Sequence, residues 1–299
     1  MVLGKSARAS RNVGNRETNI KPVRMKTILG IDIGGTKIQG ILWKGKIVSA
    51  KTIATPKNKK AFIKSLVRLI QDLRNGQKIG GIGLAVAGVL DWKNGVILKS
   101  PNLKFLNGVR LGSIITRQVK LPVCLENDTK CFLLGEARFG QAKNKKNVVA
   151  LTLGTGVGGA VLADGKLMRG AHGAAGELGH MLIEREIGRL MTLEDLVSSH
   201  GFSRLGVFDP RKGSGEIYQK IGRYLGVALG NLVNIFNPEL IILGGGIAKA
   251  GTILTKPALV EMEKHALLSR KYLPQVRVSR LEYAGALGAV SLFLNGNWG

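Results

Sequence analysis

A chain of 299 residues, 44% hydrophobic and 21% charged, has the composition of a soluble globular protein and length enough for two domains with their own cores. Two cysteines, Cys124 and Cys131, allow at most one disulfide and exclude a thiolate metal cluster; lying at a strand-to-helix junction, they read as buried thiols of a reducing compartment. The formal charge of +26, of which residues 1–24 carry +5 and the remainder +21, favours anionic ligands such as nucleotides, polyphosphate or nucleic acid, although basicity this diffuse also describes a solvated surface.

Residues 1–24 are polar, basic and aperiodic, and are expected to form a disordered tail. Their arginines and serines resemble a transit peptide, but MKTILGIDIGG begins a strand at once, so Met25 also reads as the natural start. No apolar core of a secretory signal follows the basic residues. The longest apolar stretch, residues 79–90, is too short and too glycine-rich to span a bilayer, so the expected location is cytoplasmic.

From Met25 the pattern is three strands, TILGIDI, KIQGILW and KIVSAKTIA. A helical stripe follows, formed by Phe62, Ile63, Leu66, Val67, Leu69, Ile70 and Leu73 and closed by Gly76. Next come a buried strand (79–88), a loop containing SPNLKFLNG (100–108), a short helix near 112–119 and the strand LPVCLEN. The second half restarts the programme. Helix DTKCFLLGEARFG leads into strands VVALTLG, GGAVLAD and KLMRG, then several helices, the longest over 215–236. Strand ELIILGG, a helix over 256–269, strand VRVSRL and a terminal helix from about Ala286 complete the chain. The repeated order predicts an internally duplicated α/β fold of two lobes around a central cleft. Its expected divisions are a small lobe over 25–126, a large lobe over 127–285, and a terminal helix in 286–299 packing back on the small lobe.

Glycine, at 42 residues, gathers beside apolar runs, which marks tight strand-end turns where backbone approaches a ligand. Two such places match: ILGIDIGGTKIQGIL (28–42) and VALTLGTGVGGAVL (149–162). A strand–Gly–Thr–strand turn offers N–H groups and a hydroxyl to phosphate oxygens without side-chain obstruction. Gly34, Gly35, Thr36 and Lys37 form the first candidate grip; Gly154, Thr155, Gly156 and Gly158 form the second. Asp32, leading into the first turn, could hold a hydrated Mg²⁺. Each turn alone is a plain glycine-rich hairpin; as a pair they suit a polyphosphate chain.

With IDIGGTK (31–37), SPNL (100–103), LENDTKC (125–131), LTLGTGVGGAV (151–161), GAAGELGH (173–180) and NPELIILGGGIA (237–248), the chain resembles the ROK family of sugar kinases and related repressors. The resemblance implies the duplicated actin-like, ribonuclease H-like ATPase fold, ATP and Mg²⁺ as cofactors, and a hexose or amino-hexose acceptor. It makes Asp128 the general base and Asn127 a sugar contact, whereas locally Asp128 reads as a helix N-cap. It places Asn102, Glu177, His180 and Glu194 on sugar hydroxyls and Gly88 close to the sugar. Locally, Glu194 is also a favourable helix-start charge, His180 a possible core histidine and Gly88 a strand-end turn. Gly244, Gly245 and Gly246 match the adenosine-side loop.

The chain departs from the family after Gly-His. Many relatives build a zinc site there from that histidine and three cysteines, but GHMLIEREIGRLMTLEDL holds no cysteine, so no zinc is expected. The 181–193 loop is expected to rest on Leu182, Ile187 and Leu190. Loss of the cysteines also occurs in polyphosphate-using glucokinases, which, with KNKK (143–146), keeps polyphosphate open as donor. A repressor would need an N-terminal helix-turn-helix, which 24 aperiodic residues do not supply. The expected partners are sugar and nucleotide, with no specific nucleic acid, no membrane, and a homodimer as in relatives.

Overall fold

In chain order the first half comprises β1 (Ile28–Ile33), β2 (Lys37–Trp43), β3 (Ile47–Ala54), α1 (Lys59–Arg74), β4 (Gly81–Val86), β5 (Val89–Asp91), β6 (Val96–Lys99), α2 (Leu111–Val119) and β7 (Val123–Asn127). The second half comprises α3 (Asp128–Phe139), β8 (Val148–Leu153), β9 (Val157–Ala163), β10 (Lys166–Leu167), β11 (Leu182–Glu186), β12 (Arg189–Thr192), α4 (Leu193–Val197), α5 (Ser199–Arg204), α6 (Gly215–Phe236), β13 (Leu240–Gly244), α7 (Gly245–Ala248), α8 (Thr252–His265), β14 (Gln275–Val278) and α9 (Ala284–Ser291). The computed structural model describes residues 27–186 and 188–294; the expected tail over 1–24 lies outside the described residues.

The apolar runs of β1, β4, β8 and β13 are continuous rather than alternating, which suits strands covered on both faces. They form the middles of two five-stranded sheets, ordered β3-β2-β1-β4-β7 and β10-β9-β8-β13-β14. In each sheet the first three strands run as an antiparallel meander and the remainder pair in parallel. The duplication read in the sequence is therefore a duplication of topology. Each sheet owns a core. One is built by Leu29, Ile31 and Leu84 with the apolar face of α1, the other by Leu151 and Leu243 with α6 and α8.

α1 buries Phe62, Leu66, Leu69, Ile70 and Leu73, as its periodicity predicts. It ends one residue earlier than expected. Asn75, not Gly76, takes the left-handed cap conformation and donates its N–H to the carbonyl of Gln71. α8 begins four residues before the expected 256, because Pro257 is accommodated inside the helix. The β5–β6 hairpin was not foreseen; its three- and four-residue strands are too short to show periodicity.

Two further expectations are corrected. Cys131 is buried but Cys124 is exposed, at a position of β7 that faces outward. The 181–193 segment is a β11–β12 hairpin rather than a loop, and Leu182 and Leu190 are 55% and 49% exposed. Met191 and Leu193 are its buried anchors, with Met181 and Ile183 packed against the same core. Ile187 lies outside the described residues.

α9 lies along β1 and β4 and beside α3, and glycines make that approach possible. A side chain on Gly83 would run into the carbonyl of Ala289, and one on Gly288 into the carbonyl of Cys131. The backbones meet where no methyl fits. We therefore expect Gly288→Ala to destabilise the fold by about 1–3 kcal/mol through overpacking, read as a lower melting temperature, whereas Gly165→Ala, which meets nothing within 4 Å, loses only what its positive φ costs.

Candidate active site

Two cavities, of about 290 and 460 Å³, open between the sheets and share a wall made by Asp128, Thr129, Thr152 and Gly245. The wall is the N-terminus of α3 facing the end of β8. Asn127, the last residue of β7, caps α3: its Oδ1 accepts from the Lys130 N–H at 2.9 Å and its Nδ2 donates to the Gly88 carbonyl at 3.0 Å. Capping by Asn127 overturns the local reading of Asp128 as the cap. It also leaves Asn127 only part of its hydrogen-bonding capacity for a ligand.

Asp128 is the first helical residue, and its carboxylate accepts from the Thr129 N–H at 2.9 Å. Burial raises its pKa, Glu177 raises it further, and the backbone donors oppose both. Asp32 is pushed up to about 7, chiefly by burial and then by the charge of Asp128, against the pull of Lys37. Among the described residues no hydrogen bond reaches the Asp32 carboxylate. A partly buried, unpaired oxygen ligand facing a second carboxylate fits a hard cation that keeps most of its waters.

The two glycine turns stand on either side of the smaller cavity. Gly34 donates to the Lys37 carbonyl at 3.0 Å and Gly154 to the Gly156 carbonyl at 2.9 Å, so those two amides close their own turns and are not available to a ligand. The turn carbonyls are tied away by Thr55 and Lys57 on one side and Ser199 on the other. Among the described residues the N–H groups of Gly35, Thr36, Thr155 and Gly156 meet no protein acceptor. These four are the amides left for an anion.

The expected residues divide by cavity. Gly35, Gly88, Asn102, Glu177, His180 and Glu194 line the smaller one, together with Gly34 and residues 154–159. Asp32, Lys37, Gly244 and Gly246 line the larger one. Thr36 lines neither. His180 is exposed, which removes the core-histidine reading. Gly88 has φ of 124° and no room for a side chain against the Lys99 carbonyl, so its turn requires glycine whatever binds beside it. Glu194 lies in the first turn of α4, and its Oε2 accepts from the Val157 N–H at 2.8 Å.

Sequence reasoning missed the hydroxyl pair Thr129–Thr152, 2.9 Å apart beside Asp128. The signal was present: Thr152 is the one polar residue among the apolar positions of β8. Lys249 and Ser279, in the wall of the larger cavity, follow no motif that could have found them. Among the described residues no three His, Cys, Asp or Glu side chains gather as a metal cluster. No helix among them is long and apolar enough to cross a membrane.

Comparison with known proteins shows what the chain is similar to. The chain is 30% identical to a glucokinase of Thermotoga maritima over 89% of this chain and 96% of that one. It is 30% identical to an N-acetyl-D-glucosamine kinase of Escherichia coli over 89% and 98%. Its fold superposes with a TM-score of 0.77 on a ROK family glucokinase from Streptomyces griseus in complex with glucose and AMPPNP, at 26% identity and covering 89% of this chain and 98% of that one. The ROK family model matches residues 28–295, and to that family the chain belongs.

Proposed function

We propose that this protein is a sugar kinase that transfers the terminal phosphate of ATP to a hydroxyl of a hexose or amino-hexose. The observation that carries the reading is that Asp128 is the one carboxylate lining both cavities. A base there can accept the proton of an alcohol on one side while that alcohol attacks a phosphate entering from the other. Phosphoryl transfer needs little else from the protein beyond alignment and charge stabilisation.

The smaller cavity supplies acceptor recognition through Asn102, Glu177, His180 and Glu194, a set of amide, carboxylates and imidazole that matches alcohols acting as donors and acceptors together. The free amides of Gly35, Thr155 and Gly156, in the wall of the smaller cavity, are suited to the oxygens of a phosphate reaching it from the shared wall. Asp32 would hold Mg²⁺ through water, and the bound ion would neutralise charge on the phosphates. The larger cavity carries the bare Gly244–Gly246 turn with Leu243, Leu281 and Tyr283 around it. Apolar walls of that kind suit a nucleoside, which favours ATP as donor, while Lys37 and Lys249 in the same cavity would serve the phosphates of either donor.

The proposal is tested by coupled phosphorylation over a panel of hexoses and N-acetylhexosamines, with ATP and with polyphosphate. Asp128→Asn should lower kcat by about 10²–10⁴-fold. Its melting temperature at pH 8 should not fall, because the amide replaces a buried charge whose pKa the fold already raises. Turnover equal to the parent would remove Asp128 as base. A parent silent on every sugar and donor would favour a sugar-sensing regulator instead.

The base must be ionised to act. Since the fold holds both Asp128 and Asp32 above the ordinary carboxylate range, kcat/KM should fall on acidification while pH is still above that range. Asp128→Asn should remove the part of this limb that Asp128 contributes and move the Asp32 part to lower pH.

A methyl group on Gly156 would overlap the Glu194 carboxylate. Gly156→Ala should therefore displace Glu194 from the Val157 N–H and raise the sugar KM about tenfold or more, the cost of one charge-assisted hydrogen bond. An unchanged KM would take Glu194 out of the sugar site.

A further inference from the structure

Lys130 is 2% exposed, two residues after Asp128. Lysine is almost never this buried without a partner. Its Nζ donates to the Gly173 carbonyl at 2.6 Å. Burial pulls its pKa down, while the carboxylates of Glu126 and Glu177 favour the charged form. Beside it, Arg169 Nε donates to Glu126 Oε2 at 2.7 Å, with the two side chains only 12% and 3% exposed. The Arg169 guanidinium also lies 4.5 Å from the centroid of the Trp92 ring. The second oxygen of Glu126 accepts from the Asn127 N–H at 2.9 Å.

Two of these contacts hold one segment, residues 169–177: Lys130 ties it to the first turn of α3, and Arg169 ties it to the other half of the molecule. Arg169 reaches β7 through Glu126 and reaches the β5–β6 hairpin through Trp92. Gly173 is held by Lys130 and sits so close to the Leu90 carbonyl that no side chain fits. The segment ends on Glu177, which lines the smaller cavity with Asp128. Lys130, Arg169, Glu126 and Trp92 do not line that cavity; the last three face a separate one of about 760 Å³. They are placed to act through Glu177, not on the sugar.

We propose that Lys130 and Arg169 are positioning residues that clamp residues 169–177, Lys130 against α3 and Arg169 against the small lobe, and so fix Glu177, and the acceptor it would hold, relative to Asp128. The part about the acceptor rests on the sugar-kinase reading; the clamp itself does not. A buried ammonium repays its desolvation only while its carbonyl and carboxylate neighbours stay in place, so losing it frees the segment that carries them. Arg169 adds a planar cation between Glu126 and Trp92, both on the opposite side of the cleft, so separating the lobes would break a nearly buried ion pair.

The test compares Lys130→Met, Arg169→Lys and Trp92→Leu with the parent by amide hydrogen exchange without ligand and by steady-state kinetics. In Lys130→Met, exchange across residues 171–180 should speed up about tenfold while β1 and β8 keep their protection. Its sugar KM should rise about tenfold or more, and kcat should fall by a smaller factor, because the base and the phosphate amides stay in place while the acceptor is held less well against the base. Arg169→Lys and Trp92→Leu should shift both readouts in the same direction by less, and the double variant with Lys130→Met should be less than additive. A stability defect alone would speed exchange everywhere and leave KM unmoved. Should Lys130→Met fail to fold, the other two variants decide, since Trp92 is 37% exposed and Arg169→Lys keeps its charge. Exchange over 171–180 equal to the parent in the folded variants overturns the clamp. A parent that phosphorylates no sugar overturns the kinase reading, and the exchange result still decides the clamp.

Discussion

The arrangement of the cleft depends on which of two adjacent residues caps α3. Asn and Asp are nearly equal as N-caps, and END offers both. Because Asn127 takes the cap, spending its oxygen on the Lys130 amide and its nitrogen on the Gly88 carbonyl, Asp128 starts the helix with its carboxylate turned into the wall between the cavities. As it stands, one carboxylate oxygen accepts from the Thr129 N–H and the group still lines both cavities. The tie to Gly88 also joins α3 to the turn after β4, so the element bearing Asp128 is registered against the first sheet as well as continuous with it.

Charge is distributed to match. Between residues 27 and 126 the only acidic residues are Asp32, Asp72, Asp91 and Glu126. Asp72 is paired with Lys51, Glu126 with Arg169, and Asp91 accepts from the backbone and side-chain amides of Asn94. That leaves Asp32 as the unpaired carboxylate pointing into the cleft of an otherwise cationic lobe. A positive surface around a concave site raises the local concentration of anionic ligand and its rate of arrival. Asp32 and Asp128 repel one another across the junction, and the divalent cation proposed for Asp32 would relieve that repulsion. Both carboxylates are therefore poorly solvated and held above the ordinary carboxylate range.

The topology was legible because both signals behind it are local. Continuous apolar runs give buried strands, and Gly-Thr pairs between them give turns, twice in the same order. The positions of Asp32, Asp128 and the Gly244–Gly246 loop follow, since each sits where a strand leaves a sheet. What the sequence concealed depends on tertiary contact. Gly34 and Gly154 look like free amides in a motif but are used by their own turns, because a tight turn must satisfy one donor internally. Leu182 and Leu190 look like anchors, but the hairpin's pleat sends them outward and gives the buried places to Met191 and Leu193. Lys130 reads as an ordinary helix surface residue until Gly173, 43 positions away, is seen to receive it.

The duplication explains the chemistry as well as the architecture. Asp32 and Thr152 occupy the same position of the two meanders, each two residues before the first glycine of its turn. One copy keeps a carboxylate there and the other a hydroxyl bonded to Thr129. Beyond β4 and β13 the chain again leaves each sheet through a glycine with positive φ, Gly88 on the acceptor side and Gly245 in the shared wall. A symmetric frame thus yields two similar backbone surfaces facing each other, and the few positions where the copies differ set which face carries the carboxylates proposed to hold the cation and act as base. Identical carboxylates in both copies would bring a third negative charge to the junction beside Asp32 and Asp128, where burial already opposes two; the hydroxyl of Thr152 fills that place while adding none.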